Sequence, residues 1–72
     1  MYHGVLTTGD VSRMLDVSSS LVVRWIDEKR LFGWHLPGSH HHRTTPAAVR
    51  KFCVDNEIPI PDEIKEPLEV LT

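Results

Sequence analysis

The stretch Thr7-Thr8-Gly9-Asp10-Val11-Ser12-Arg13-Met14-Leu15-Asp16-Val17-Ser18-Ser19-Ser20-Leu21-Val22-Val23-Arg24-Trp25-Ile26-Asp27-Glu28-Lys29 decides the fold. Val11, Met14 and Leu15 recur at helical spacing in its first half, and Leu21, Val22, Trp25 and Ile26 do so in its second. Asp16, Val17 and Ser18 lie between the two patterns. Two short helices across so brief a turn are the signature of a helix-turn-helix. In nucleic-acid-binding proteins that unit sets its second helix in the major groove, so sequence-directed binding of duplex DNA is the leading expectation.

The ends of both helices are marked. Thr7 is a good N-cap and Asp10, three residues on, completes an approximate capping box, which predicts a helix over 8–15. Asp16 is a residue that tolerates the left-handed geometry of the turn. Ser18 caps a second helix running to about Glu28. Neither helix contains proline, as the reading requires.

Leu31, Phe32 and Gly33 end the helical period. The runs 34–36 and 41–44 then flank Pro37-Gly38-Ser39-His40, a strong turn signal, so a two-stranded hairpin is expected. A hairpin placed directly after the second helix would act as a wing. Thr45 and Pro46 start a third helix over 46–56, which turns Val49, Phe52 and Cys53 inward. Upstream, Met1–Val5 is a lead-in whose Tyr2 and Val5 can pack on the domain edge. Downstream, 58–72 holds Pro59, Pro61 and Pro67 among acids and reads as an extended tail or linker with little structure of its own. The run 68–72 could open another domain's first strand, which would make the chain a fragment.

Composition bounds the function. Seventy-two residues make one small, marginally stable domain. No apolar run approaches a membrane span, and no secretory signal is visible. The lone Cys53 cannot form an internal disulfide and suits a reducing, cytoplasmic setting; its spacing from Val49 makes it a small core hydrophobe. The net charge of −2 weighs against phosphate binding, but it is unevenly spread. Residues 1–57 carry seven Lys and Arg against six Asp and Glu, and 58–72 carry one against four. The acidic tail thus masks a weakly basic domain, to which all five histidines belong.

The run from Leu6 to Ser18, the run from Val23 to Glu28 and the run from Gly33 to Arg43 together resemble the excisionase-like, MerR-type helix-turn-helix domains. The resemblance covers about residues 5–58. It implies a winged helix-turn-helix that binds duplex DNA, either as a small transcriptional regulator or as an architectural factor in recombination. The second helix would enter the major groove and the wing would reach the flanking backbone or minor groove. Asp16 and Lys29 stand where that family favours glycine, and Val23 and His42 where it often has arginine or another polar residue.

The fold expected is therefore mainly α: a two-helix helix-turn-helix, a β-hairpin wing, a third helix and an extended C-terminal tail. Residues 1–57 would be the DNA-binding domain and 58–72 an acidic tail that could meet another domain or protein. The residues expected at DNA are Thr8, Ser19, Ser20, Val23 and Arg24 from the helices, and Ser39, His41, His42 and Arg43 from the wing. Ser19 and Ser20 sit in the first turn of the second helix, where side chains and N–H groups approach bases or phosphates. Arg24 can reach a phosphate or a guanine edge. Val23 could meet a thymine methyl or pack beneath the wing. Trp25 shares its stripe with Val22 and Ile26 and reads as core; Trp34 is read the same way, because so small a domain needs its large apolar groups.

His40, His41 and His42, with His35 across the hairpin, raise the question of a metal. Consecutive strand residues point to opposite faces, so the three cannot converge on one ion, and no metal or other cofactor is expected. Their imidazoles suit phosphate contacts that strengthen as pH falls from about 8 to 6. No enzyme is expected: the chain has no credible nucleophile set or phosphate-cradling loop and little length to enclose a substrate. One such domain buries too little surface for high specificity, so cooperative assembly on nucleoid DNA is anticipated. The competing class is a protein-interaction module that keeps the fold with weak or no DNA binding, favoured by the net charge, Val23 and His42.

Overall fold

The computed structural model describes residues 4–38 and 41–65. In chain order they form β1 (Leu6–Thr7), α1 (Thr8–Leu15), α2 (Ser19–Asp27), β2 (Trp34–His35), β3 (His42–Thr44), α3 (Pro46–Asp55) and a 3-10 turn at Asp62–Ile64. Three helices thus accompany a small antiparallel sheet, whose strand order is β1-β3-β2.

Local chemistry explains the helix starts. The Thr7 hydroxyl accepts from Asp10 N at 3.0 Å while Thr7 N donates to the Asp10 carboxylate at 3.0 Å, closing the expected capping box. Arg13 adds a 2.7 Å ion pair to the same carboxylate. The Thr7 backbone bond, with help from the Thr7 hydroxyl and Arg13, holds the Asp10 carboxyl below its ordinary value. Ser18 and Thr45 cap α2 and α3 in the same way, through Leu21 N and Ala48 N.

The helix ends are less usual. Asp16, Lys29 and Glu57 all adopt left-handed backbone geometry, with φ of 58°, 63° and 59°. Beyond α2, Lys29 N donates to Ile26 O and Arg30 N to Trp25 O, the paired closure of a Schellman motif. Glu57 N to Val54 O and Ile58 N to Cys53 O close α3 likewise. Each position would suit glycine, and a residue with a Cβ there costs about 1 kcal/mol. These closures turn the chain sharply and deliver Leu31 and Ile58 back to the core.

Leu6, Val11, Val22, Ile26, Leu31, Val49, Phe52, Cys53 and Ile64 make that core, all of them buried. Met14, Leu15, Val17, Trp25, Ile58 and Ile60 pack around it, half-buried. Trp25 lies 4.6 Å from Phe52, ring centre to ring centre, consistent with its reading as core. Trp34 is only half-buried, on the hairpin beside exposed Phe32 at 6.0 Å. Burial pushes the Cys53 thiol up, so it stays protonated and inert.

Three expectations change. An unexpected strand follows the lead-in: Leu6 pairs with Thr44 and Thr7 with Arg43, so β3 forms the expected hairpin with β2 and is also the central strand of the sheet. Val5 does not pack; it is 53% exposed, and Tyr2 lies outside the described residues. The segment 58–65 is not an open tail. Its isoleucines return to the core, with Ile64 2% exposed, and Arg50 Nη1 donates to Ile64 O at 3.1 Å. Burial of three β-branched side chains outweighs the local bias of the prolines. Residues 66–72, including the run expected to open another strand, lie outside the described residues.

Candidate functional site

Thr44 anchors the hairpin. It is fully buried, and its hydroxyl donates to Phe32 O at 2.6 Å, tying the central strand to the chain leaving α2. Gly33 lies in the same crossing: a Cβ there would stand 2.6 Å from Arg43 O and 3.0 Å from Ile26 Cδ1. Only glycine lets β3 approach α2 so closely. The distance between hairpin and helix is therefore set by backbone packing.

The strand pleat then sorts the hairpin residues expected at DNA. Thr44 faces the core, so His42, two residues away, shares its side of the sheet, while Arg43 between them points to the other. The His42 side chain is only 11% exposed, and its Nε2 lies 3.0 Å from Asp27 Oδ1 at the end of α2. A carboxylate is acceptor-only, so the imidazole N–H donates. His42 thus joins hairpin to helix instead of projecting outward beside Arg43. His35 stacks near it, with ring centres 5.4 Å apart, and its Nδ1 lies 3.3 Å from Leu36 O. Arg43 is half-buried and Nη1 donates to His42 O at 3.0 Å. His41 is exposed just before β3, with its carbonyl accepting from Leu36 N. Ser39 lies outside the described residues, as does His40.

On the helices, Ser19 and Ser20 are exposed in the first turn of α2. Arg24 is exposed one turn further on, 3.4 Å from Glu28. Val23 is half-buried between them, and Thr8 is half-buried at the start of α1, where Thr7 rather than Thr8 does the capping. The structure therefore brings Ser19, Ser20 and Arg24 onto one exposed helix and fastens the hairpin to that helix's far end. It does not gather His41, His42 and Arg43 on one surface.

The electrostatics are mixed. Arg13 pairs with Asp10, Arg24 and Arg30 share Glu28, and His42 meets Asp27, so acids interleave with the cations along α2. These are exposed pairs for the most part, each worth only about 0–1 kcal/mol, and an incoming phosphate can displace them. Asp27 is the residue the sequence reading missed: nothing local marks an acid at a helix end as the partner of a histidine fifteen residues away. Among the described residues, no three His, Cys, Asp or Glu side chains group as a metal site. No helix of the described residues is long and apolar enough to cross a membrane.

Compared with known proteins, the chain matches no protein-family model, no curated protein and no solved structure at a significant level.

Proposed function

We propose that the chain is a winged helix-turn-helix of the excisionase-like, MerR-type kind that binds duplex DNA. Helix α2 would enter the major groove through Ser19, Ser20 and Arg24, with Val23 at its edge. The β2–β3 hairpin would serve as the wing, presenting Arg43 and His41 to the flanking backbone or minor groove. The observation that carries this reading is the junction between the two parts. A helix capped by Ser18, with an exposed polar first turn, is locked to a hairpin through Asp27 and His42 and through the Gly33 crossing. Two elements held in fixed relation can meet a groove and its flank together, which is what a winged reader needs.

The domain would act as a transcriptional regulator or an architectural factor on nucleoid DNA. It would do so with modest affinity per copy and with cooperative assembly at repeated sites. A second reading, a protein-interaction module of the same fold, draws support from Asp27 and Glu28, which flank the groove-facing arginine. Titration of random duplex with the chain at several salt concentrations separates the two. Phosphate neutralisation gives a negative slope of log affinity on log salt, whereas a protein module shows no measurable duplex binding.

A further inference from the structure

A groove of about 420 Å³ lies away from the proposed DNA face. Helix α3 contributes Ala48, Lys51, Phe52 and Asp55, an i, i+3, i+4, i+7 set on one helical face. The loop 29–33 and Ile26 of α2 line the rest. Ile26 and Arg24 project about 200° apart around α2, so this groove and the groove-facing arginine look in different directions. Its volume falls within the ~300–1,000 Å³ range of clefts that bind ligands.

Two properties define what fits. The lining is apolar at Ile26, Phe52 and Ala48, and Phe32 stands over it 66% exposed, the most solvent-exposed large apolar residue among those described. Around that lining stand Lys29, Arg30 and Lys51, against the single carboxylate of Asp55. Lys51 reaches Asp55 at 2.8 Å and Arg30 reaches Glu28 at 2.9 Å, both in exposed pairs that exchange partners easily. Lys29 lines the groove from a left-handed backbone position.

We propose that this groove docks a short acidic, amphipathic segment of a partner protein. Its apolar side chains would lie against Phe32 and Phe52 and its carboxylates on Lys29, Arg30 and Lys51. Charge complementarity selects an acidic partner. The apolar lining and the Asp55 carboxylate inside the groove argue against a nucleic-acid backbone, which gains from cations but not from phenyl rings. If α2 binds DNA as proposed, one small domain would bridge DNA and a protein partner. The proposal stands independently of DNA binding.

The test uses the 72-residue chain and fluorescein-labelled 12-residue peptides of Glu, Gln and Ala carrying Leu or Phe at two positions four apart. Anisotropy should show saturable binding. The same peptides with Ser for the apolar pair, or Lys for Glu, should bind at least about 10-fold more weakly. Phe32→Ala should weaken binding about 10-fold, and Lys29→Glu combined with Lys51→Glu similarly, whereas Arg24→Ala should change nothing. Amide shifts of the unmodified protein on peptide addition should concentrate at 29–33 and 48–55, a readout that does not depend on any variant folding. Absent binding, equal binding of the Ser or Lys peptides, or shifts centred on 19–24 would each overturn the proposal. So would two other occupants of the groove. One is a dimer in sedimentation equilibrium that Phe32→Ala abolishes. The other is duplex DNA binding that the two lysine reversals weaken as much as Arg24→Ala does.

Discussion

Replacing Ile64 with alanine tests whether the segment after α3 belongs to the domain. Ile64 is 2% exposed and packs with the 3-10 turn onto α3, where Arg50 holds its carbonyl. Truncation to alanine removes three carbons. At about 0.8 kcal/mol per buried methylene the lost transfer energy is roughly 2.4 kcal/mol, and the cavity left behind brings the total to about 3 kcal/mol. A domain of this length has a total stability of roughly 4–11 kcal/mol, so the change removes a large fraction of it. Urea unfolding followed by Trp fluorescence is a direct assay, since Trp25 lies against Phe52 in the core. With a slope of about 1 kcal/mol per molar urea, the midpoint should fall by about 3 M, or the variant should be partly unfolded without denaturant. Ile60→Ala, at a half-buried site, should cost less, about 1 kcal/mol. A loss under about 0.5 kcal/mol for Ile64→Ala would mean that 58–65 does not pack in solution, and the account of the core would fail with it.

Gly33→Ala should destabilise by about 1–3 kcal/mol through the clash with Arg43 O and Ile26, seen as a lowered thermal midpoint; an unchanged midpoint would refute the close crossing. Asp10→Asn should cost about 1 kcal/mol at pH 7 by weakening the capping box. Because the folded carboxyl lies below its ordinary 3.8, its stabilisation is complete above that value and is lost as pH falls through the folded value. The gap between wild type and variant should therefore close in acid, and a gap constant from pH 7 to about 2 would contradict the assignment. Glu57→Gly should stabilise by up to about 1 kcal/mol by relieving its left-handed backbone, with a fall in the urea midpoint as the contrary result. His42→Ala should cost about 1 kcal/mol and shift amide resonances of both α2 and the hairpin; shifts confined to the hairpin would argue against the Asp27 contact.

The parts of this fold legible in the sequence are those fixed by neighbours. Thr7 with Asp10, Ser18 and Thr45 mark three helix starts within one residue, because capping needs only residues three apart. Asp16 in the turn was readable for the same reason. What escaped depends on distant partners. Strand β1 has two residues and exists only because Thr44 and Arg43 lie opposite them. Ile58, Ile60 and Ile64 carried an apolar signal, but prolines and acids around them suggest an open tail until α3 supplies a surface to cover. The site divides in the same way. Ser19, Ser20 and Arg24 are exposed on α2 as their positions imply. His42 was recognisable as a hairpin residue, yet its direction follows from strand register, and register is set by the burial of Thr44 and the absence of a side chain at Gly33.

On the proposed reading, α2 and the hairpin grip duplex DNA together. Its most direct test is the salt dependence of binding to a random duplex by the wild type, Arg24→Ala and Arg43→Ala. With Arg24 and Arg43 as phosphate contacts, the slope of log affinity on log salt should be roughly −2. Removing either Arg24 or Arg43 should bring it to about −1 and weaken binding at every salt concentration. Slopes and affinities identical across all three proteins, or no binding at low salt, would contradict the claim.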